Sequence, residues 1–267
     1  MTSKKITVFH NGDELSARTY DTLKQQLTQH GYIVSGEYSP ETDLIVCIGG
    51  DGAFLKAIHA CDFPPCPIAG INTGHLGFFQ DVLPDDIDRF IQQYESGEYN
   101  LQRLNTVRAI IETEDGETFE HIGLNEITIK GRHSYSVHLF ISIGDKPIEK
   151  FSGDGLIVAT SAGSTAYNYS VGGSIADPRL NLLQVTPIAP MNTTAYRSFT
   201  SSILLPADLS LGVVPEQREN QINIMNDGIE SSYTNVKSIE VRVSDTSVSL
   251  IRLKGYDFWS KVKDKFL

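Results

Sequence analysis

Hydrophobic and polar positions change rhythm once along this chain, close to Leu101. Before that point, short apolar runs alternate with segments whose apolar residues return every three or four positions. Lys5–His10 is β-branched and aromatic, which predicts a strand. Asp13–His30 places Leu15, Thr19, Leu23 and Leu27 at helical spacing, and Gly31 supplies a C-terminal stop. Asp43–Ile48 is apolar without alternation, the pattern of a strand covered on both faces. Gly52–Ala60 predicts a helix, Pro67–Ile71 a third strand and Pro84–Glu95 another helix. Strands alternating with helices imply parallel pairing and a Rossmann-like α/β domain.

From Leu101 to about Leu253 the pattern is strand-like. Turn signals break it at Glu114-Asp115-Gly116, Gly144-Asp145-Lys146-Pro147 and Asn226-Asp227-Gly228. Val241–Val243 and Val248–Leu253 flank Asp245-Thr246-Ser247, which predicts a hairpin. Tyr256–Leu267 predicts a short amphipathic helix with Phe258, Trp259, Val262 and Phe266 on its apolar side. The expected fold class is therefore α/β plus all-β. Residues 1–100 form the α/β domain, 101–254 a β-rich, β-sandwich-like domain, and 255–267 a helix packing back on the first.

Composition narrows the function classes. The chain has 267 residues, 40% of them hydrophobic and 21% charged, as in an ordinary globular protein. Its net charge of −11 argues against a nucleic-acid partner, because phosphate backbones are gripped by basic surfaces. The first apolar run is too short for a signal-peptide core, and no stretch approaches a membrane span. A soluble, cytoplasmic protein without a membrane partner is expected. Cys47, Cys61 and Cys66 are odd in number, which fits free thiols in a reducing compartment. His59 is the only companion near Cys61 and Cys66, so free thiols are favoured over metal ligands there too.

Four segments carry candidate chemistry. Ile48-Gly49-Gly50-Asp51-Gly52 lies where a buried strand ends and a helix begins, a favoured ligand position in open α/β sheets. Glycines let a ligand approach the backbone, and a helix N-terminus supplies N–H donors. Asp51 is poorly suited to cradling phosphate alone. It suits accepting a hydroxyl hydrogen bond, taking a proton or holding Mg²⁺; a tight turn with an exposed aspartate is the plainer alternative. Asn72-Thr73-Gly74-His75-Leu76-Gly77-Phe78 follows the next strand. It offers phosphate donors in Asn72 and Thr73, a ring in Phe78 that can pack on a base, and a histidine best taken as structural. Leu124-Asn125-Glu126-Ile127 sets an amide beside a carboxylate, able to grip two neighbouring hydroxyls, though the dipeptide alone is common. Ser152-Gly153-Asp154-Gly155 leads through an apolar strand into Ser161-Ala162-Gly163-Ser164-Thr165-Ala166-Tyr167. That segment has the donors, hydroxyls and ring that suit a nucleotide, with ordinary helix caps as the plainer alternative.

The chain has no G-x-x-x-x-G-K-[ST] loop and no protein-kinase residue set. Its first strand runs into His10-Asn11-Gly12-Asp13 rather than a G-x-G-x-x-G turn, which disfavours a dehydrogenase of the usual dinucleotide fold. The ordered set Gly49–Gly52, Asn72–Gly77, Asn125-Glu126 and Asp154-Gly155…Gly163–Tyr167 resembles the NAD kinase family over nearly the whole chain. Two departures stand out: Thr160-Ser161-Ala162-Gly163 where the family commonly has Thr-Pro-Thr-Gly, and Ser152-Gly153 where a basic residue often precedes Asp-Gly.

The resemblance implies phosphorylation of the adenosine ribose 2′-hydroxyl of NAD to give NADP. ATP is the implied donor, polyphosphate in some members, with a divalent metal such as Mg²⁺. It implies a homo-oligomer, a tetramer or dimer, with a site shared between subunits. By position, Asp51 becomes the base or hydroxyl-orienting residue, and Asn125 and Glu126 hold the acceptor ribose. Gly49, Gly50, Asp51, Gly52, Phe78, Thr165, Ala166, Tyr167 and Ser170 fall in the NAD site. Asp154 and Ala189 fall near the nicotinamide, with Asp154 open to reaching in from a neighbouring subunit. Gly50, Gly52, Asn72 and Thr73 fall to the phosphate donor, and no residue is assigned to the metal. A lipid kinase with a related glycine loop and a catalytically silent dinucleotide-binding regulator are the rival expectations.

Overall fold

The computed structural model of the chain describes residues 4–194, 196–216 and 221–266. Met1–Ser3 and Leu267, included in the expected end segments, lie outside them. In chain order the elements begin with β1 (Lys5–His10), α1 (Glu14–Gln29), β2 (Ile33–Ser35), β3 (Leu44–Gly49), α2 (Asp51–Ala60), β4 (Ile68–Asn72) and α3 (Ile87–Ser96). There follow β5 (Tyr99–Thr113), β6 (Thr118–Gly123), β7 (Glu126–Gly131), β8 (Val137–Ile143), β9 (Lys146–Gly153), β10 (Gly155–Thr160) and α4 (Tyr167–Ser170). The chain continues through β11 (Leu182–Ile188), β12 (Ile203–Pro206), β13 (Leu211–Pro215), β14 (Ile222–Asn226), β15 (Ile229–Tyr233), β16 (Val236–Leu253) and α5 (Phe258–Phe266). Described residues up to Arg103 and from Ser247 form one compact unit, and Leu104–Thr246 the other.

The first unit is a parallel sheet in the order β2-β1-β3-β4, with the end of β16 joining β4 at Leu250 opposite Ile68. All six residues of β3 are buried, as its unbroken apolar run predicts. Ile6, Val46, Ile71 and Phe90 form the centre of this core with Leu23 and Leu27 of α1. Asp13 caps α1 by accepting from Ser16 N at 2.8 Å. The buried face of α1 begins at Ser16 and runs through Thr19, Leu23 and Leu27. Leu15, expected on that face, is exposed. In α5, Phe258 and Val262 are buried and Phe266 stacks on Phe78 at 5.9 Å, whereas Trp259 is exposed. The terminal helix thus packs on the α/β unit, with Trp259 outside its buried side.

The second unit is built of antiparallel strand pairs, with three short helical segments among its described residues. One sheet runs β12-β11-β10-β7-β14-β15. Facing it, β13 lies between β8 and the first part of β16, β9 pairs with β8, and β5 pairs with β6. Side chains from both sheets, among them Val107, Ile129, Leu139, Phe151, Leu156, Leu183, Val213 and Val241, make one buried cluster, the arrangement of a β-sandwich. The expected α/β plus β-rich architecture is what the chain adopts.

The expected hairpin over 241–253 is absent, because β16 continues without a break from Val236 to Leu253. Asp245-Thr246-Ser247 contains no glycine or asparagine to take a left-handed turn, and β-branched Thr246 favours extension. The polar groups there are satisfied in place: Thr246 N donates to Ser244 Oγ at 3.1 Å, and Thr246 O accepts from Thr106 Oγ1 at 2.7 Å.

Candidate functional site

The first unit presents its candidate residues where β3 and β4 end. Asp51 opens α2, next to the N-cap Gly50. Its carboxylate is held by main-chain donors of the loop after β4: Phe78 N lies 3.0 Å from both oxygens, and Phe79 N lies 3.0 Å from Oδ1. Glycine at position 77 is required by this approach, since a Cβ there would meet Asp51 Oδ1 at 2.5 Å. Lys265 of α5 brings its ammonium to 3.8 Å from Asp51 Oδ2 and 4.9 Å from the Phe78 ring centre. The Phe78 ring itself is buried against Phe258 and Phe266.

Asn72 is buried, its Oδ1 accepting from Gly74 N at 2.9 Å. Thr73 shares a 2.5 Å hydrogen bond with Ser16 Oγ, so its hydroxyl is already engaged. His75 is exposed. Beside Gly50 and Gly52 lies a cavity of about 590 Å³, walled also by His10, Asn11 and Lys56. No local motif joins residues 10 and 11 to residue 56, so the sequence alone does not group these three. A second cavity of about 440 Å³ is bordered by Asn72, Gln80, Asp81, Arg89, Tyr256 and Lys261. Its Asp81 is paired with Lys261 at 2.6 Å and, from behind, with Arg252 at 2.9 Å, and Asp86, Asp257 and Asp264 add negative charge to its lining. The cavity at the glycine loop is therefore the better place for an anionic ligand.

In the second unit, Asn125 and Glu126 stand where β7 begins. Both are buried, and Asn125 Oδ1 and Glu126 Oε2 have no hydrogen-bond partner. Burial raises the Glu126 carboxyl from its ordinary 4.5 to about 8, and the charge of Asp227 adds to the rise. Thr160, at the end of β10, fixes the carbonyls of this turn: its Oγ1 donates to Leu124 O at 2.7 Å and its N to Asn125 O at 2.9 Å. Gly163 passes so close that a Cβ would fall 1.9 Å from Asn125 O. The hydroxyl-rich segment is thereby set against the Asn-Glu turn.

Asp154 and Ala189 lie at the opposite end of β10, where Asp154 N donates to the carbonyl of Ile188, the neighbour of Ala189, at 2.9 Å, and both are exposed. Ala189 has a positive φ of 43°. Tyr167 packs on Ile157, Ala159 and Ile188, so its ring covers the strand connecting the two ends. Thr165 and Ala166 are half-buried beside it, and Ser170 is exposed at the end of α4. Six residues of strand separate the ends of β10, on the order of 17 Å, a length that suits an extended dinucleotide. At the two family departures, Ser161 Oγ donates to Leu180 O at 2.6 Å, and buried Ser152 pairs through its backbone with Ser198 Oγ at 2.9 Å. Neither places a cation there.

No group of three or more His, Cys, Asp or Glu stands together to hold a metal among the described residues. The cysteines are free, and burial pushes the Cys61 thiol up to about 11. No helix among the described residues is long and apolar enough to cross a membrane.

Known proteins share this fold. The ATP-NAD kinase N-terminal domain family matches residues 6–99, and the ATP-NAD kinase C-terminal domain family matches residues 124–253. A NAD kinase of Finegoldia magna is 37% identical over 271 residues, covering 99% of this chain and 98% of its own. The crystal structure of yeast NADH kinase complexed with NADH has a TM-score of 0.86 at 18% identity, covering 98% of this chain and 87% of its own. A NAD kinase from Archaeoglobus fulgidus in complex with ATP has a TM-score of 0.78 at 23% identity, covering 97% and 98%.

Proposed function

The chain belongs to the NAD kinase family, and from that premise we propose that it transfers the terminal phosphoryl group of ATP to the adenosine ribose 2′-hydroxyl of NAD, giving NADP. The observation that carries this reading is the pair of buried, unpartnered oxygens, Asn125 Oδ1 and Glu126 Oε2. An unpaired buried polar atom costs about 1–3 kcal/mol, a cost that ribose hydroxyl donors relieve on binding. Asn125 and Glu126 hold the ribose, Thr165, Ala166 and Tyr167 enclose the adenosine, and Asp154, Ser170 and Ala189 serve the remainder of the dinucleotide along β10.

Asp51 orients the attacking hydroxyl or accepts its proton. Its Oδ2 keeps lone-pair capacity beyond the shared Phe78 bond. Gly50, Gly52, Asn72 and Lys56 serve the donor phosphates, with Lys56 supplying a cation beside the glycine loop. Phosphoryl transfer depends chiefly on positioning and charge stabilisation, which these parts provide. Magnesium enters with ATP, and the working form is a homo-oligomer in the cytoplasm.

The test is a coupled assay for NADP with purified protein, NAD, ATP and Mg²⁺, repeated with polyphosphate and with NADH. NADP formation with ATP that disappears in Asp51→Asn supports the reading. NAD binding without turnover under every donor and metal would replace it with a dinucleotide-binding regulator.

A further inference from the structure

One carboxylate outside the residues given roles above gathers three main-chain donors of the second unit. Asp227 sits at the tip of the hairpin between β14 and β15, with a φ of 50°. Its Oδ2 accepts from Leu124 N at 2.7 Å, and its Oδ1 from Asn125 N at 2.7 Å and Glu126 N at 3.2 Å. The grip is reciprocal: Asp227 N donates to Glu126 O at 3.2 Å, and Asn226 Nδ2 donates to Ile122 O at 3.0 Å. Hydrogen bonds to an ionised acceptor are about twice as strong as neutral ones. Three of them on consecutive amides fix the peptide planes from Leu124 to Glu126, and with them the directions of the Asn125 and Glu126 side chains.

A staple between two strands would need no carboxylate here. A neutral acceptor would close the turn without setting a negative charge beside Glu126, whose ionisation that charge opposes. The expense falls on a turn where two successive side chains, Asn125 and Glu126, end in buried, unpartnered oxygens, as the side chains of a binding element would.

We propose that Asp227 is a positioning residue for the phosphoryl acceptor, setting the Asn125-Glu126 backbone so that both side chains meet the ribose hydroxyls of NAD. The inference rests on the reading of Asn125 and Glu126 as the ribose clamp. The test is steady-state kinetics on the full chain with Asp227→Asn and Asp227→Gly. Both replacements take a positive φ readily and preserve the turn. Asn keeps one acceptor oxygen but turns an amide donor toward an N–H, whereas Gly removes every acceptor.

The expected result is a KM for NAD raised about tenfold in Asp227→Asn and further in Asp227→Gly. KM for ATP stays within about twofold, since the lost bonds do not touch the donor. An unchanged KM for NAD in both variants, with losses confined to thermal stability or active fraction, would overturn the proposal. So would failure of both variants to fold, which would make Asp227 a folding residue. Failure of the underlying reading looks different: Asn125→Ala and Glu126→Gln would leave KM for NAD unchanged, removing the clamp and the proposal with it.

Discussion

Asp51 in the first unit and Glu126 in the second are both carboxyl groups beside a strand end, yet their surroundings are opposite. Asp51 accepts main-chain bonds from Phe78 and Phe79 and has Lys265 at 3.8 Å. Glu126 is buried, has an unpartnered oxygen, faces the charge of Asp227 and is pushed up to about 8. A carboxylate met by donors is aimed and ready without a ligand. One left without a donor is completed only when a ligand brings hydroxyls. Under the proposed function, the contrast suits chemistry at the Asp51 loop and recognition at the Asn125-Glu126 turn.

The sharpest way to break this contrast is Asp51→Asn. Loss of the oxygen that meets the hydroxyl should lower kcat by about 10²–10⁴-fold, while NAD binding measured by calorimetry largely survives. Next in size is Gly163→Ala, whose methyl group would collide with the Asn125 carbonyl. Overpacking against backbone costs roughly 1–3 kcal/mol, so the unfolding midpoint should fall and KM for NAD should rise together. Gly77→Ala meets a side chain instead, Asp51 Oδ1, and should show its loss in kcat.

A smaller effect comes from the pH dependence of Glu126. Its carboxyl rises from 4.5 unfolded to about 8 folded, so the native state holds a proton that the unfolded chain has already released. Stability attached to that proton is complete below the unfolded value and is lost as pH rises through the folded one. Asp227 is the charged neighbour acting on it. Thermal melts of Glu126→Gln should therefore gain on the wild type as pH rises from about 5 to about 8.5, with little difference at the acid end. The smallest change is expected from Lys265→Met. A partly exposed pair at 3.8 Å contributes no more than about 1 kcal/mol, so kcat should move by less than about fivefold.

Much of this was legible in the residues. The unbroken apolar run before Gly49 located Asp51 at the end of a buried strand, and alternation of strands with helices fixed the parallel sheet. The ordered motifs pointed to the family. Asp227 could be seen only as part of a turn, because its three partners lie 101 to 103 residues earlier in the chain. Lys56 and Asn11 become neighbours only when β1 and β3 pair. The hairpin expected at Asp245-Thr246-Ser247 failed because small polar residues signal a turn only when the backbone cannot extend, and here neighbouring groups satisfy them inside a strand. Trp259 has the helical spacing of a buried residue but lies outside the covered side of α5, which the period alone does not reveal.

Calorimetric titration of NAD into the wild type, Asp51→Asn and Glu126→Gln tests the division of labour most directly. The account predicts that Asp51→Asn binds NAD within about threefold of the wild type, while Glu126→Gln binds about tenfold more weakly. The reverse order, with NAD affinity lost at Asp51 and kept at Glu126, would contradict it.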